Sequence, residues 1–178
     1  MPIDKKLLIE AISYRCIEFL EPKWESVAEL IKENPFSEKM IYLLNNQWLS
    51  EKKVKNRAGT FSNPNCIGTA FFIAGACKNP YQAFENELSK HMKSGMEGKI
   101  PGSFVFSYCY EMDNFHAGIY LGTIKDTDIM FSQQGYGCKF GPETEGNYAS
   151  PEYYLPSSLA SPVTNLKLDK LMPFGQLR

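Results

Sequence analysis

Several common signals are missing from this chain. Its 178 residues include 19 basic and 20 acidic side chains, with a net charge of −1 and no block of like charge. Nucleic-acid binding normally needs clustered Lys and Arg, so we expect no nucleic-acid partner. No apolar run is long enough to span a bilayer. The N-terminus also lacks the apolar stretch of a cleavable signal peptide. We therefore expect a protein that is cytoplasmic, or exported without such a signal.

Histidine is scarce, and the cysteines show no spacing typical of cross-links or metal binding. The chain has five cysteines and only two histidines, His91 and His116. The odd cysteine count and the lack of a Cys-x-x-Cys pair argue against a disulfide framework or a structural zinc site. We expect reduced thiols, no metal and no cofactor. Because there are two histidines, few Cys–His pairs are possible.

The composition is that of an ordinary globular domain. Hydrophobic residues make up 43% of the chain and aromatic residues 13%, which is enough for a full core. The first part has helical patterns and the second part has strand patterns, which predicts an α+β fold. We expect a single domain over residues 1–178, with a helical N-terminal part (1–58) and a core (59–178). No feature of the sequence sets an oligomeric state.

The positions of apolar residues predict the main elements. Helical spacing predicts four helical regions: residues 4–33 with a break at Pro22, 38–49, 66–76 and 81–91. Extended apolar segments predict three strands: residues 104–108, 117–121 and 129–133. After Gly135 the chain is rich in Gly, Pro, Tyr and Ser, and we expect ordered loops there.

Cys66 opens the third helical region, directly after Asn65. A cysteine at a helix N-terminus ionises more readily than a free thiol when an imidazolium lies nearby. Its backbone N–H has no partner within the helix and can help to bind an oxyanion. These features fit a nucleophile. The alternative is a buried structural cysteine, since the rest of this helix is apolar.

His116 begins a strand in which His116, Gly118 and Tyr120 share one face. The glycine leaves space beside the histidine for a thiol or a ligand. His91 lies in a polar stretch and is expected to face solvent. A catalytic histidine needs a third group to orient its ring. The next strand offers four candidates, of which the first is the preferred one: Gln133, Asp128, Ser132 and Gln134.

Three segments in this order resemble the NlpC-type cysteine peptidases of the papain-like superfamily: Asn65–Thr69, Pro101–Phe106 and His116–Gly122. That family carries an Asp-Cys-Ser-Gly nucleophile turn, a Pro-Gly-Asp-Leu-Val-Phe strand and a His-Val-Gly-Ile-Tyr-Leu-Gly strand. The resemblance covers roughly residues 62–137. It implies a papain-like fold, in which the nucleophile helix packs on an antiparallel sheet that carries the histidine. It also implies a bacterial hydrolase, because known members mostly cleave peptidoglycan stem peptides.

The chain departs from the family motifs at the third catalytic group. The family usually orients its catalytic histidine with a second histidine on the next strand, but no histidine follows His116 here. Asn65 and Ser103 stand where the family motifs carry Asp. The third role therefore falls to a residue of another type, with Gln133 as the first choice, or to none.

The sequence as a whole predicts a cysteine hydrolase that cleaves an amide or peptide bond. Cys66 would attack the carbonyl carbon, His116 would carry the proton to the leaving amine, and Gln133 would orient the imidazole. Two alternatives stay open. One is an acyltransferase or deamidase effector with the same nucleophile but a different acceptor. The other is a catalytically inactive binding protein with the same fold.

Overall fold

The computed structural model of the chain describes residues 4–14, 24–93, 99–109, 114–133, 138–144 and 149–160. The helices of these ranges are α1 (Lys5–Tyr14), α2 (Trp24–Glu33), α3 (Ser37–Asn45), α4 (Cys66–Ile73), α5 (Leu88–His91) and α6 (Ser157–Ala160). Two short 3-10 turns, Gln47–Ser50 and Glu85–Glu87, stand between them. Within this part of the chain, none of the helices has the length and apolar character needed to cross a membrane.

The strands form a large sheet and a small one. The small sheet pairs β1 (Val54–Lys55) with β2 (Phe61–Ser62). The large sheet has six strands: β3 (Met92–Lys93), β4 (Phe104–Cys109), β5 (Asn114–Ile124), β6 (Thr127–Gln133), β7 (Phe140–Thr144) and β8 (Ala149–Pro156). Their order is β3-β8-β4-β5-β6-β7, and every pair of neighbours is antiparallel. The expected α+β class is therefore confirmed.

The N-terminal helices share one hydrophobic core with α4 and the sheet. Helix α2 buries one face through Val27, Ala28 and Ile31, at the spacing of an amphipathic helix. The same apolar cluster includes Phe71 of α4 and Phe104 of β4. The helical part before residue 58 thus packs directly onto the part that carries Cys66 and His116.

Helix α4 is the most buried helix segment, because all eight of its residues lie in the interior. It begins at Cys66, as predicted, but it ends at Ile73 rather than near residue 76. Gly75 follows with a φ of +85°, a left-handed conformation that glycine adopts without strain and that stops the helix.

The hairpin between β5 and β6 is tighter than predicted, since the predicted strands at residues 117–121 and 129–133 leave residues 122–128 between them. Both strands continue into that range, and the turn consists of Lys125 and Asp126 alone. Their φ values are +46° and +63°, as a two-residue turn of the primed type requires. The strands therefore extend beyond the predicted residues 117–121 and 129–133.

Two predictions of local structure were wrong. Residues 81–84 belong to no helix or strand, and only the 3-10 turn and α5 follow in place of the helix predicted over 81–91. The loops expected after Gly135 include the strands β7 and β8. Pro142 is tolerated because β7 is an edge strand, and Pro151 lies where the register between β4 and β8 shifts.

Candidate active site

Cys66 occupies the first position of α4, and Asn65 fixes that start. Asn65 has extended backbone angles, and its side-chain oxygen accepts a hydrogen bond from the backbone N–H of Gly68 at 2.9 Å. This is the geometry of a helix N-cap. The Cys66 residue is 8% exposed, and its Sγ lies 3.9 Å from the carbonyl oxygen of Phe115 on β5.

The N-terminus of α4 is also clamped to the segment after the helix. The Asn65 side chain accepts from the backbone N–H of Ala83 at 3.1 Å and donates to the Ala83 carbonyl at 2.8 Å. The backbone of Tyr81 packs so closely on Gly68 that a Cβ there would lie 1.7 Å from the Tyr81 carbonyl oxygen. Gly68 is therefore needed for this close approach, which holds Cys66 at a fixed place.

The first turn of α4 leaves two backbone donors near the thiol. The N–H groups of Gly68 and Thr69 are satisfied by the Asn65 side chain and carbonyl. Those of Cys66 and Ile67 donate to no acceptor in the described ranges. A helix start with open N–H groups favours negative charge, including the oxyanion that forms when a thiolate attacks a carbonyl.

The sheet register places His116 on the same face as Ser132 and Glu143. His116 and Gly118 are two positions apart on β5, so both point to the same face of the sheet. Gly118 pairs with Ser132 of β6. Ser132 in turn pairs with Gly141 of β7, two residues before Glu143. The two glycines carry no side chains beside Ser132. The imidazole and the carboxylate can therefore meet above β6 although their strands are not neighbours.

His116 has a buried carboxylate as its partner. Its Nε2 lies 2.7 Å from Oε1 of Glu143 and 3.1 Å from the hydroxyl of Ser132, which also donates to the same carboxylate oxygen. The side chains of His116 and Glu143 are 7% and 3% exposed. The Cys66 side chain lies near enough to the imidazole to contribute to the raised pKa of His116. A thiol, an imidazole and a carboxylate are thus joined in one chain of contacts.

This environment favours the charged form of His116. Burial by itself lowers the pKa of His116, but the Glu143 charge, the hydrogen bonds with Cys66 and Glu143 and the Cys66 charge outweigh it. Together they raise the pKa of His116 from its usual 6.5 to about 10. The imidazole is then protonated at neutral pH. In contrast, burial raises the pKa of Cys77 to about 12, so that thiol stays protonated.

Gln133 does not have the role predicted for it. Its side chain points to the face of β6 opposite to Ser132 and His116, because neighbouring residues of a strand alternate. Its side-chain oxygen accepts a hydrogen bond from the Thr69 hydroxyl at 2.7 Å, under helix α4. The residue that contacts the imidazole in its place is Glu143.

The other three candidates for the orienting role have different outcomes. Asp128 accepts from Thr123 and Tyr120 near the hairpin turn, away from His116. Ser132 does contact the imidazole, but as a hydroxyl that also serves the carboxylate. Gln134 lies outside the described residues.

Sequence reasoning missed Glu143 because it lies in a segment interpreted as loop. The segment Phe140–Thr144 contains a glycine and a proline, which are typical of turns. All five of its residues are nevertheless buried. One signal in the sequence points to Glu143. It lies in a short segment with Phe140, which favours burial, and a buried acidic residue almost always has a partner.

His91 is less exposed than predicted and has separate contacts. Its ring packs edge-on against Phe71, with centroids 4.7 Å apart, and its Nε2 lies 3.1 Å from the Arg57 guanidinium. Burial and the Arg57 charge lower the pKa of His91, which is opposite to the direction at His116. We assign His91 no part in the chemistry.

No metal site within the described residues and no known relative helps to assign a function to this site. Residues 4–14, 24–93, 99–109, 114–133, 138–144 and 149–160 contain no group of three or more His, Cys, Asp or Glu side chains placed to bind a metal ion. Comparison of the chain with protein-family models, curated proteins and solved structures finds no match.

Proposed function

We propose that this protein is a cysteine hydrolase that cleaves an amide or peptide bond with a Cys66–His116–Glu143 triad. The observation that carries the proposal is the buried contact between His116 Nε2 and Glu143, at 2.7 Å, together with the raised pKa of His116. An imidazolium held in place beside a cysteine at a helix N-terminus is the arrangement that activates a thiol as a nucleophile.

In the proposed mechanism the two ring nitrogens of His116 have different roles. Nε2 of His116 is bonded to Glu143 and Ser132. In that mechanism the other ring nitrogen, Nδ1, serves Cys66. In the proposed reaction the Cys66 thiolate attacks the carbonyl carbon, and the Cys66 and Ile67 N–H groups bind the oxyanion. His116 then donates its proton to the leaving nitrogen as the C–N bond breaks. The product is a thioester on Cys66 and a free amine.

Glu143 keeps the imidazole charged and oriented while Cys66 acts. A carboxylate hydrogen-bonded to the far nitrogen fixes both the tautomer and the tilt of a catalytic histidine. Ser132 donates to the same carboxylate and so helps to hold it in place. Glu143 takes the position for which the sequence had suggested Gln133.

The substrate class follows from the resemblance rather than from the geometry. The motifs at residues 65–69, 101–106 and 116–122 are similar to those of NlpC-type enzymes of papain-like fold, which we propose as the closest description of this chain. Peptidoglycan stem peptides are therefore the first substrates to test. If the acyl group ends on a second substrate rather than on water, the acyltransferase alternative holds in place of hydrolysis.

The proposal can be tested without a substrate by the pH dependence of iodoacetamide labelling, followed for each cysteine by mass spectrometry. We expect Cys66 to label rapidly well below the usual thiol pKa of about 8.5, and His116→Ala to remove this advantage. Cys77 and Cys138 serve as internal controls, because both are free thiols in the same native protein. A native protein in which Cys66 labels no faster than the control thiols would overturn the proposed mechanism.

A further inference from the structure

Ser107 presents a buried hydroxyl that the fold does not use. The residue is 2% exposed, and its Oγ has no hydrogen-bond partner within the described ranges. Buried polar side chains are almost always hydrogen-bonded, so an exception calls for an explanation from function.

Ser107 lies directly beside the catalytic imidazole. It is the partner of His116 in the register between β4 and β5. Side chains of directly paired residues point to the same face of the sheet, with Cβ atoms about 5 Å apart. The hydroxyl therefore opens into the space that the imidazole occupies.

The hydroxyl is on the side of the imidazole that faces away from Glu143. His116 Nε2 is directed at β6 and β7, where Ser132 and Glu143 lie. Strand β4 neighbours β5 on the opposite side, so Ser107 lies on the side of His116 that is away from β6 and β7. The register between β4 and β8 also shifts between Phe106 and Tyr108. Such irregularities commonly re-aim a side chain next to an active site.

We propose that the Ser107 hydroxyl positions the water that hydrolyses the acyl-enzyme. This inference rests on the proposed function and assigns a separate residue to its second half. A hydroxyl with no partner among the described residues, placed beside the histidine that must act as base, can bind one water between itself and Nδ1.

The step balances with groups already at the site. After the amine has left, His116 is neutral. The bound water donates one O–H to Ser107 Oγ and the other to His116 Nδ1. Its oxygen attacks the thioester carbon, so an O–C bond forms and the C–S bond breaks. The water proton moves to His116, and the electron pair of the broken bond returns to Cys66 as the thiolate.

The test separates acylation from deacylation with p-nitrophenyl acetate, an activated acyl donor. The initial burst of nitrophenolate reports acetylation of Cys66, and the later steady rate reports hydrolysis. For Ser107→Ala we expect a burst at the wild-type rate and a steady rate about tenfold lower, as for the loss of one hydrogen bond. Intact-mass spectrometry should show more acetylated protein at steady state.

Ser107→Ala should fold normally, because removing a hydroxyl that has no hydrogen-bond partner in the described residues breaks no hydrogen bond. Ser107→Gly is a second variant that also removes the hydroxyl. Ser103→Ala is the matched control: Ser103 is an equally buried serine, next to β4, whose hydroxyl accepts from the Ile100 N–H. It should leave both phases unchanged.

The other outcomes contradict the inference about Ser107, alone or together with the proposed function. Equal steady rates for wild type and Ser107→Ala would overturn the inference and leave the proposed function standing. A burst slowed as much as the steady rate would also overturn it, since Ser107 would then act in acylation. No burst and no acetylation of Cys66 in the wild type would overturn the proposed function and this inference with it.

Discussion

Replacing Glu143 with glutamine should remove the charge that activates Cys66. The amide keeps the size of the side chain and one accepting oxygen, but it eliminates the negative charge 2.7 Å from His116 Nε2. Burial, which lowers the pKa of His116, then acts without that opposing carboxylate. The pKa of His116 then falls, so a smaller fraction of the imidazole is charged near neutral pH and it stabilises a thiolate beside it less.

The size of the effect follows from the ionised fraction of the thiol. An ordinary thiol with a pKa of about 8.5 is about 1% ionised at about pH 6.5. A thiol beside an imidazolium is generally ionised to a much larger fraction at that pH, because such a neighbour lowers thiol pKa values to between about 3.5 and 7.5. Iodoacetamide reacts with the thiolate. Cys66 of the Glu143→Gln variant should therefore be labelled up to about 100-fold more slowly than Cys66 of wild type at about pH 6.5. The two rates should converge above about pH 9.

The assay is residue-resolved labelling of the native proteins over a pH series. Glu87→Gln is a matched control, because Glu87 is an equally buried carboxylate that is paired with Arg57 rather than with His116. It should alter stability without changing the pH profile at Cys66. Equal labelling of wild type and Glu143→Gln at about pH 6.5 would refute the electrostatic reasoning.

Three further predictions concern the support of the site. Asn65→Ala removes the helix cap and two bonds to the next segment, and should cost roughly 2–3 kcal/mol in urea unfolding; no change would show that the clamp contributes nothing. Gly68→Ala places a Cβ against the Tyr81 carbonyl and should cost about 3 kcal/mol or more, measured by thermal unfolding, whereas a wild-type midpoint would contradict the packing. The stability difference between wild type and His116→Gln should be largest below pH 6.5 and should vanish as pH rises through about 10. The reason is that a group whose pKa is higher in the folded state stabilises the fold only while it is charged. Urea titrations over that range check the sign, and a difference that grows with pH would contradict it.

The parts of the site that have local signals could be predicted from the sequence. The start of α4 follows from an Asn directly before an apolar helix, since the cap and the first turn are neighbours in the chain. The strand that carries His116 follows from its apolar alternation. The structure brings Cys66 and His116 together, although they are 50 positions apart in the printed sequence.

The parts that depend on distant contacts could not be predicted. Glu143 reaches His116 only because β7 pairs with β6. The Gly-Pro pair within β7 is typical of a turn, so the sequence there does not predict a strand. The segment at residues 81–84 has a helical apolar pattern, but it is not helical, and it packs on Gly68 and bonds to Asn65 instead. In both cases a tertiary contact outweighs the local preference.

The most direct test of the central claim is the protonation state of the two histidines, measured by NMR of protein labelled with ¹⁵N-histidine. The chain has only His91 and His116, so each can be assigned with a single variant. Because their pKa values shift in opposite directions, we predict a charged His116 and a neutral His91 at about pH 8. Glu143→Gln should lower the charged fraction of His116. A neutral His116 in the wild-type protein at that pH would contradict the account.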